Sequence, residues 1–416
     1  MIKKLIHNHY VQSILIWLYF RLNLGILATI LFNFKQYLKV IGKIIKAKYT
    51  GKNVVAIYFG HYDQKQRYKN FEKIINLLEE SNKYITFTFI TDFNLAKELS
   101  KKNNIYYFKY FFHPRVIYAD IYLTSTQLTT PIGPFFSKKV QFDHNQDGID
   151  LSNCANFDEY DYIFCSGKQQ INNCKKFLSH RKLKNRCLIP GGYLKLDRLI
   201  KKDIKKDNAF IIYAPTVASD NNSNNSKNQN GIYDISSLRS LQTSGLKIIK
   251  SLIDAGYKVI FRPHPSNLKS KNVKKILDIF GKHPQLFFDD SKNYFETYQN
   301  SALMISDISA TLFTYAYVFE RPSIIFCPEI SELGIDVEKI SKITYSFGNY
   351  CQTLVYTIDE LIIKVKDILE NPEEYKQKVI NYRKENLFNY GCSSEYLVNN
   401  LDYILNDKKH PDWEYI

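Results

Sequence analysis

The chain has 416 residues, which is too long for one ordinary core, so we expect at least two domains. Its composition, 45% hydrophobic and 24% charged, is that of a globular protein and argues against a largely disordered chain. The formal net charge of +16 indicates an anionic partner: nucleic acid, a membrane surface or a phosphorylated substrate. Seven cysteines without a Cys-x-x-Cys pair indicate reduced thiols in a cytosolic protein rather than disulfides or a zinc site.

Residues 1–50 form a basic segment with helical periodicity, containing eight Lys or Arg and no Asp or Glu. The uninterrupted apolar pieces of residues 11–34 are too short to span a bilayer, and no signal-peptide cleavage site follows them. Two interpretations stay open: the helix lies on an anionic membrane surface, or it packs on its own domain with its lysines in solvent. The lysines at helical spacing are Lys35, Lys39, Lys43 and Lys46.

A first α/β domain is predicted over residues 51–205, because apolar strands alternate there with helices. Near-continuous apolar strands separated by helices are typical of a parallel sheet that is covered on both faces. The predicted strands are 53–59, 84–91, 105–110, 118–125, 140–142, 162–165 and 187–189, and the helices are 68–82 and 168–178.

A second α/β domain is predicted over 206–390, after a charged linker and before a helical tail at 391–416. Its Asn-rich segment, 219–231, cannot pack a core and is expected to be a loop. The predicted strands are 209–213, 257–261, 286–288, 302–305 and 323–327, and the helices are 235–254, 270–280, 309–320 and 358–370.

The motif Arg262-Pro263-His264-Pro265 directly follows the second of these strands. It places a cation and an imidazole at the carboxyl edge of the sheet, which is where open α/β sheets bind ligands. The guanidinium of Arg is suited to clamp a phosphate, and His can carry charge or move a proton near neutral pH. The motif therefore predicts a phosphate-handling enzyme, although a rigid loop with an incidental Arg is the alternative.

A second candidate phosphate contact lies where a predicted strand passes through Ser306 and Asp307 into a helix near Ser309. A helix N-terminus presents free amide N–H groups and a positive dipole end, which favour a bound phosphate. The hydroxyls of Ser309 and Thr311 can add donors. The alternative is simple N-capping, for which Ser and Asp are favoured, and the two roles are compatible.

The sequence lacks the signature motifs of several enzyme classes and of nucleic-acid-binding proteins. No Gly-x-Gly-x-x-Gly opens the first strand, no phosphate-binding P-loop occurs, and no Gly-x-Ser-x-Gly elbow is present. No recognised nucleic-acid motif accompanies the basic charge, so nucleic acid is not an expected partner.

Four segments, taken in order, resemble the CDP-glycerol glycerophosphotransferase family, which builds teichoic acids and similar capsular polymers. They are Gly192 to Leu199 (Gly-Tyr-Leu-Lys-Leu-Asp-Arg-Leu), Tyr213 to Thr216 (Tyr-Ala-Pro-Thr), Arg262 to Pro265, and Ile305 to Ser309 running on to Tyr315-Ala316 and Arg321-Pro322. A weaker match, Gln141-Phe142-Asp143-His144, lies where the family carries a catalytic His. The resemblance covers about residues 137–330 and has no counterpart in the first 130 residues.

The resemblance implies the GT-B fold, in which two Rossmann-like domains face each other across a cleft. It implies two catalytic residues: His144 would deprotonate the acceptor hydroxyl, and His264 would assist the charge on the leaving phosphate. For His144 the alternative is a surface histidine in a turn-rich loop. The donor-binding residues that we expect are Arg262, Ser306, Ser309, Thr311, Thr216 and, for the ribose, Glu329.

The implied function is transfer of a polyol phosphate from a CDP-activated donor to a hydroxyl of a cell-surface polymer or lipid-linked primer. Departures from the family pattern at Asn145, Val217-Ala218-Ser219, Ala310 and Thr314 leave the donor open. The alternatives are a GT-B glycosyltransferase that uses a nucleotide sugar for capsule or lipopolysaccharide synthesis, and a non-catalytic membrane-surface binding protein.

The expected partners are the nucleotide-activated donor, the polymer or lipid-linked acceptor and an anionic membrane surface. No cofactor and no metal site are expected, and a divalent cation is not indicated by any motif. The basic segment and the cysteine usage predict a cytoplasmic enzyme that is peripheral at the inner face of the cell membrane.

Overall fold

The computed structural model describes residues 30–60, 63–102, 104–108, 113–125, 133–142, 159–180, 182–200, 210–218, 239–291, 293–307, 309–326 and 353–416. The chain divides into two compact units. The first comprises Met1–Arg198 together with Phe388–Ile416, and the second comprises Leu199–Leu387. The sequence placed the domain boundary at 205/206 and a separate tail after 390, whereas the structure has the chain's last residues inside the first unit.

The first unit contains an eight-stranded sheet with helices around it. Its strands are β1 Asn53–Tyr58, β2 Tyr84–Ile90, β3 Ile105–Tyr107, β4 Ile121–Thr124, β5 Lys138–Phe142, β6 Tyr162–Cys165, β7 Cys187–Pro190 and β14 Glu414–Tyr415. Its helices are α1 Phe34–Tyr49, α2 Gln64–Glu80, α3 Phe93–Glu98, α4 Lys168–His180, α5 Leu194–Leu199 and α13 Ser393–Leu405. The strand order is β14-β7-β6-β5-β4-β1-β2-β3, parallel except for the antiparallel pair β14 and β7.

Alternate residues of β1 face opposite sides of this sheet, as the pleat of a strand requires. Val55 and Ile57 join the hydrophobic core that α2 and α13 cover. Val54, Ala56 and Tyr58 join the core that α1 covers. Because both faces are buried, the strand reads as one continuous apolar run, which is why the sequence alone identified it.

Helix α1 packs on the sheet through Val40, Ile44 and Ala47. Lys48, near its C-terminus, pairs with Asp120 at 2.6 Å, just before β4. The described part of the basic N-terminal segment is therefore part of the first unit rather than a separate element. No helix among the described residues is long and apolar enough to cross a membrane.

Helix α13 is tied to the first unit by Asp197. One carboxylate oxygen of Asp197 accepts a hydrogen bond from Ser393 N at 3.1 Å, and the other accepts from Ser394 N at 2.7 Å. Gly192 has φ +100°, and a Cβ there would collide with Ser393 Oγ and the Phe388 carbonyl. The Gly192 to Leu199 segment therefore holds the start of α13 in place.

The second unit contains a six-stranded parallel sheet. Its strands are β8 Phe210–Tyr213, β9 Val259–Phe261, β10 Leu286–Phe288, β11 Ser301–Ser306, β12 Ser323–Phe326 and β13 Thr353–Val355. Its helices are α6 Ser240–Thr243, α7 Gly245–Asp254, α8 Lys271–Phe280, α9 Tyr294–Gln299, α10 Ala310–Phe319, α11 Ile358–Glu370 and α12 Pro372–Asn386. The one helix predicted over 235–254 is interrupted at Ser244, which has φ −130° and ψ −5°.

Both sheets have the Rossmann order, in which the first strand lies between the second and the fourth. In the second unit the order is β10-β9-β8-β11-β12-β13. Such sheets bind ligands where the connections diverge from the first and fourth strands. This place is called the switch point of the sheet. It lies between β1 and β4 in the first unit and between β8 and β11 in the second. The predicted α/β fold class is confirmed.

Candidate active site

The sequence-predicted donor residues follow strands of the second unit at its carboxyl edge. Thr216 comes after β8, the Arg262 to Pro265 motif after β9, and Ser309 after β11. Because these strands are all parallel, their ends meet at one edge of the sheet, around the switch point between β8 and β11.

Asp307 organises this switch point. Its side chain is buried; Oδ1 accepts from Thr216 N at 2.7 Å, and Oδ2 accepts from Ser240 N at 2.9 Å and Ser240 Oγ at 3.0 Å. Burial raises the pKa of the Asp307 carboxyl, an effect that these hydrogen bonds and the charge of Arg239 partly offset. Asp307 thus joins the loop after β8 to the start of α6.

The loop after β8 has two more supports. Ser306 is buried, and its hydroxyl donates to the Ala214 carbonyl at 2.5 Å. The side chain of Asn267, in the 3₁₀ turn after the Arg-Pro-His-Pro motif, accepts from Ala218 N at 2.8 Å and donates to the Ala218 carbonyl at 2.5 Å. The Ser306 hydroxyl therefore has a structural partner, and its predicted contact with the donor remains a prediction.

Arg262 is held by the loop after β10. Its Nη1 pairs with the Asp289 carboxylate, and its Nη2 donates to the Ser291 carbonyl at 2.8 Å. Burial raises the pKa of Asp289, but hydrogen bonds from Thr297, Ser291 and Arg262 more than offset this and leave the pKa below its ordinary value. The structure thus shows Arg262 joining two loops of the site, a contact that the sequence did not predict.

His264 caps the 3₁₀ turn that follows it. Its Nδ1 accepts from Ser266 N at 3.2 Å, so the proton of the neutral ring is on Nε2. Desolvation and the nearby charge of Arg239 lower the pKa of His264 below its ordinary value. Near neutral pH the side chain is therefore an exposed, uncharged N–H donor rather than an imidazolium.

Arg239 is a cation that the sequence reasoning did not single out. It precedes α6, and its charge lowers the pKa of both His264 and Asp307. Arg239 therefore adds positive charge beside the histidine of the motif. In the sequence Arg239 lies inside the helix predicted over 235–254, which gave no signal of a role at the site.

Ser309 is the N-cap residue of α10. Its hydroxyl accepts from Thr311 N at 3.4 Å, and the Thr311 hydroxyl lies 2.5 Å from Tyr298 Oη. Ser309 therefore caps α10, as the alternative interpretation of the sequence expected. Capping leaves the remaining N–H groups of the first turn available to an anion.

Two predicted site residues, His144 and Glu329, lie outside the described residues. Among the residues that the structure does describe, no group of three or more His, Cys, Asp or Glu is arranged to hold a metal ion. The described part of the site presents hydrogen-bond donors and cations: the His264 imidazole, the Arg239 guanidinium and the start of α10.

A protein-family model matches most of the chain. Residues 44–403 match the family described as CDP-Glycerol:Poly(glycerophosphate) glycerophosphotransferase. No curated protein matches the sequence. The family match covers most of the chain and extends into both units, and it includes residues 44–130, where no motif was recognised.

Solved structures with the same fold include the wall teichoic acid polymerase TagF, at 14% identity and a TM-score of 0.52 over 90% of this chain and 98% of that one. A putative UDP-N-acetylglucosamine 2-epimerase from Listeria monocytogenes matches at 15% identity and a TM-score of 0.58, covering 88% and 100%. The S. aureus MnaA–UDP complex matches at 14% identity and a TM-score of 0.51, covering 85% and 97%. These likenesses confirm the predicted GT-B class of two Rossmann-like domains.

Proposed function

Because this chain belongs to the CDP-glycerol:poly(glycerophosphate) glycerophosphotransferase family, we propose that it transfers glycerol phosphate from CDP-glycerol to a hydroxyl of a cell-surface polymer or its lipid-linked primer. The acceptor oxygen attacks the phosphorus that bears the glycerol. The bond from that phosphorus to the bridging oxygen breaks, and CMP leaves with the electron pair. A TagF structure obtained with a CDPG soak shares the fold, and this supports a CDP-linked donor.

The observation that carries the proposal is a group of hydrogen-bond donors and positive charge at the β8–β11 switch point. The Nε2–H of His264 is exposed while Nδ1 is occupied, and the charge of Arg239 acts on the same imidazole. Donors fixed before the reaction stabilise the negative charge that develops on a transferring phosphoryl group. His264, Arg239 and the first turn of α10 therefore act on the diphosphate.

The acceptor side of the proposal rests on the family resemblance. His144 removes the proton of the acceptor hydroxyl, and Glu329 holds the ribose of the donor. Thr216 and Thr311 contribute hydroxyls to the donor site.

The direct test is to incubate the full-length enzyme with CDP-glycerol, CDP-ribitol or UDP-sugars together with a lipid-linked glycerol phosphate acceptor. We expect acceptor-dependent release of CMP from CDP-glycerol. Release of UDP from a UDP-sugar, with no CMP from either CDP donor, would establish the glycosyltransferase alternative. Release of neither nucleotide would favour a non-catalytic binding protein.

We also propose that the enzyme binds an anionic membrane surface through α1. The face of this helix opposite its buried residues carries exposed apolar side chains beside exposed lysines. Apolar side chains flanked by lysines are typical of helices that lie in the headgroup region of anionic membranes. The apolar residues are Phe34, Leu38, Ile45 and Tyr49, and the lysines are Lys35, Lys39 and Lys46.

Vesicle sedimentation tests the membrane proposal. We expect the protein to bind phosphatidylglycerol vesicles and to lose binding when Leu38 and Ile45 are both changed to Glu. The matched control is Ile363→Glu, which alters an equally exposed isoleucine on α11. Equal binding by all three proteins would contradict a role for α1.

A further inference from the structure

The first unit has a cavity at the carboxyl edge of its sheet, lined by α2 and by residues at or after the ends of β4, β5, β6 and β7. Its volume is ≈ 30 Å³, and it is partly open to solvent. The polar or charged side chains among its lining are Arg67, Asn70, Ser125, Ser166, Gln170, Tyr193 and Lys195. A cavity outside the carboxyl ends of the strands of a Rossmann-type sheet is an expected place for a ligand.

Two buried donors in this lining have no hydrogen-bond partner within the described part of the chain. Gln170 is 1% exposed; its Oε1 accepts from Ser166 N at 2.6 Å, while its Nε2 is unpaired. Ser125 is 5% exposed, and its Oγ is also unpaired. A buried donor without a partner costs free energy, so such groups indicate a ligand or ordered water.

Among the residues that the structure describes, this lining carries two cations and no carboxylate. Nη1 of Arg67 donates to the Phe59 carbonyl at 2.9 Å and to the Ser125 carbonyl, so its guanidinium bridges the ends of β1 and β4. Lys195 lies on α5; desolvation and the charge of Arg198 lower its pKa to about 8, an effect that the charge of Asp63, outside the lining, partly offsets. Two positive side chains, an amide N–H and a hydroxyl form a set that fits an anion with several acceptor oxygens.

We propose that this cavity binds a phosphate group of the acceptor, the terminal glycerol phosphate or phosphodiester of the growing polymer. This rests on the proposed function, since a poly(glycerophosphate) acceptor carries such a group next to its reactive hydroxyl. The nucleotide donor has its own cation and helix N-terminus at the switch point of the second unit. The cavity selects acceptors that already carry phosphate.

Gln170→Glu is the sharpest variant. The variant keeps a side-chain oxygen that can accept from Ser166 N. It replaces the unpaired amide N–H group with the other oxygen of a negatively charged carboxylate. The neighbouring Gln169→Glu is the matched control, because Gln169 is on the same helix turn but does not line the cavity. Thermal unfolding checks that both variants remain folded.

The binding test uses sn-glycerol 3-phosphate as the probe in isothermal titration with the full chain, and glycerol as the phosphate-free comparison. We expect the wild type and Gln169→Glu to bind glycerol 3-phosphate, and Gln170→Glu and Lys195→Gln to bind it at least about tenfold more weakly. Absence of binding to the wild type, or equal binding by all four proteins, would overturn the proposal and leave the cavity to ordered water.

The kinetic test separates this inference from the proposed function. CMP release from CDP-glycerol by the wild type tests the function alone. With a phosphorylated primer, we expect Gln170→Glu to raise the acceptor KM about tenfold or more, with the KM of CDP-glycerol unchanged. With an alkylglycerol acceptor that lacks phosphate, Gln170→Glu and Gln169→Glu should be equal. CMP release by the wild type with unchanged acceptor KM in Gln170→Glu would reject the subsite and keep the function. If the wild type releases no CMP, the titration still decides whether the cavity binds phosphate.

Discussion

Asp307 and Thr216 are 91 positions apart in the chain and are joined by a hydrogen bond of 2.7 Å from the Thr216 amide to the Asp307 carboxylate. This bond connects the ends of β8 and β11, the two strands between which a Rossmann-type sheet binds its ligand. The same carboxylate accepts from the backbone and side chain of Ser240. Asp307 is therefore a positioning residue for the candidate donor site.

Changing Asp307 to Asn should destabilise the second unit and reduce transfer together. One of its oxygens becomes an amide N–H₂ group that faces backbone donors, leaving Thr216 N or Ser240 N buried without a partner. We expect the free energy of unfolding to fall by about 1–3 kcal/mol in denaturant titrations. Asp254→Asn, at an exposed ion pair with Lys250, should change it by less than about 0.5 kcal/mol.

Two substitutions at His264 separate its capping role from its proposed action on the donor. His264→Asn keeps an oxygen that can accept from Ser266 N but lacks the Nε2–H donor, so we expect unchanged thermal stability and a kcat lower by about 10²–10³. His264→Gln offers an amide N–H near the Nε2 position and should retain more activity. A wild-type kcat in His264→Asn would remove this residue from the chemistry.

Removing Arg239 should raise the pKa of His264. Desolvation and the positive charge of Arg239 both lower this pKa, so Arg239→Ala leaves only the first effect. NMR titration of the imidazole in Arg239→Ala should show protonation at a higher pH than in the wild type. We also expect the KM of CDP-glycerol to rise by about tenfold, since a charge-assisted contact with the diphosphate is lost. An unchanged titration curve would contradict the placement of Arg239 beside His264.

Arg262 and Asp289 should behave as one unit. Arg262→Ala and Asp289→Ala each release the loop after β10, so the double variant should be destabilised by less than the sum, with a coupling of about 0.5–3 kcal/mol. Both single variants should also raise the KM of CDP-glycerol. If Arg262 instead clamps the phosphate directly, Asp289→Ala would leave that KM unchanged or lower it.

The acid dependence of this pair follows from the lowered pKa of Asp289. A carboxyl with a depressed folded-state pKa contributes stability above its ordinary pKa, and this contribution is lost as the pH falls through the folded-state value. The difference in unfolding free energy between the wild type and Asp289→Ala should therefore shrink in acid. A constant difference would contradict the ion pair.

Lys195 should be a destabilising residue in the absence of ligand. Its pKa is about 8 in the folded chain, so below that pH the folded state must hold a charged, desolvated lysine. Between pH 8 and the ordinary lysine pKa, only the unfolded chain binds this proton. The free energy of unfolding should therefore rise as the pH increases through that range. Lys195→Met should therefore raise the melting temperature at pH 7 and abolish this pH dependence. Lys138→Met, at an ion pair with Asp407, is the control and should not do so.

The sequence predicted the strands well because buried parallel strands are short apolar runs that local composition reveals. The run at 162–165 coincides with β6, and the run at 323–327 contains β12; both strands are buried throughout. Contacts between distant residues were not predictable in this way. The return of α13 to the first unit depends on the carboxylate of Asp197 meeting Ser393 and Ser394, almost two hundred positions later, and no local pattern encodes that.

The sequence predicted where the candidate site lies, but it did not predict most of the contacts between its residues. The Arg-Pro-His-Pro motif does follow a strand at the carboxyl edge, as its sequence indicated. The engagement of Arg262 with Asp289 was not foreseen, because Asp289 follows a different strand. Arg239 was missed for a similar reason: nothing near it in sequence shows that it lies beside His264. Lys195 was noted only as a member of the Gly192 to Leu199 motif, because its desolvation depends on the folded unit and has no local signal in the sequence.

The most direct measurement is phosphorus NMR of the product formed from CDP-glycerol and a lipid-linked glycerol phosphate primer. We expect a new glycerol–glycerol phosphodiester signal that grows in step with CMP, and its loss in His264→Asn with the fold intact. A product in which a sugar is joined through its anomeric carbon, without a new phosphodiester, would contradict the account.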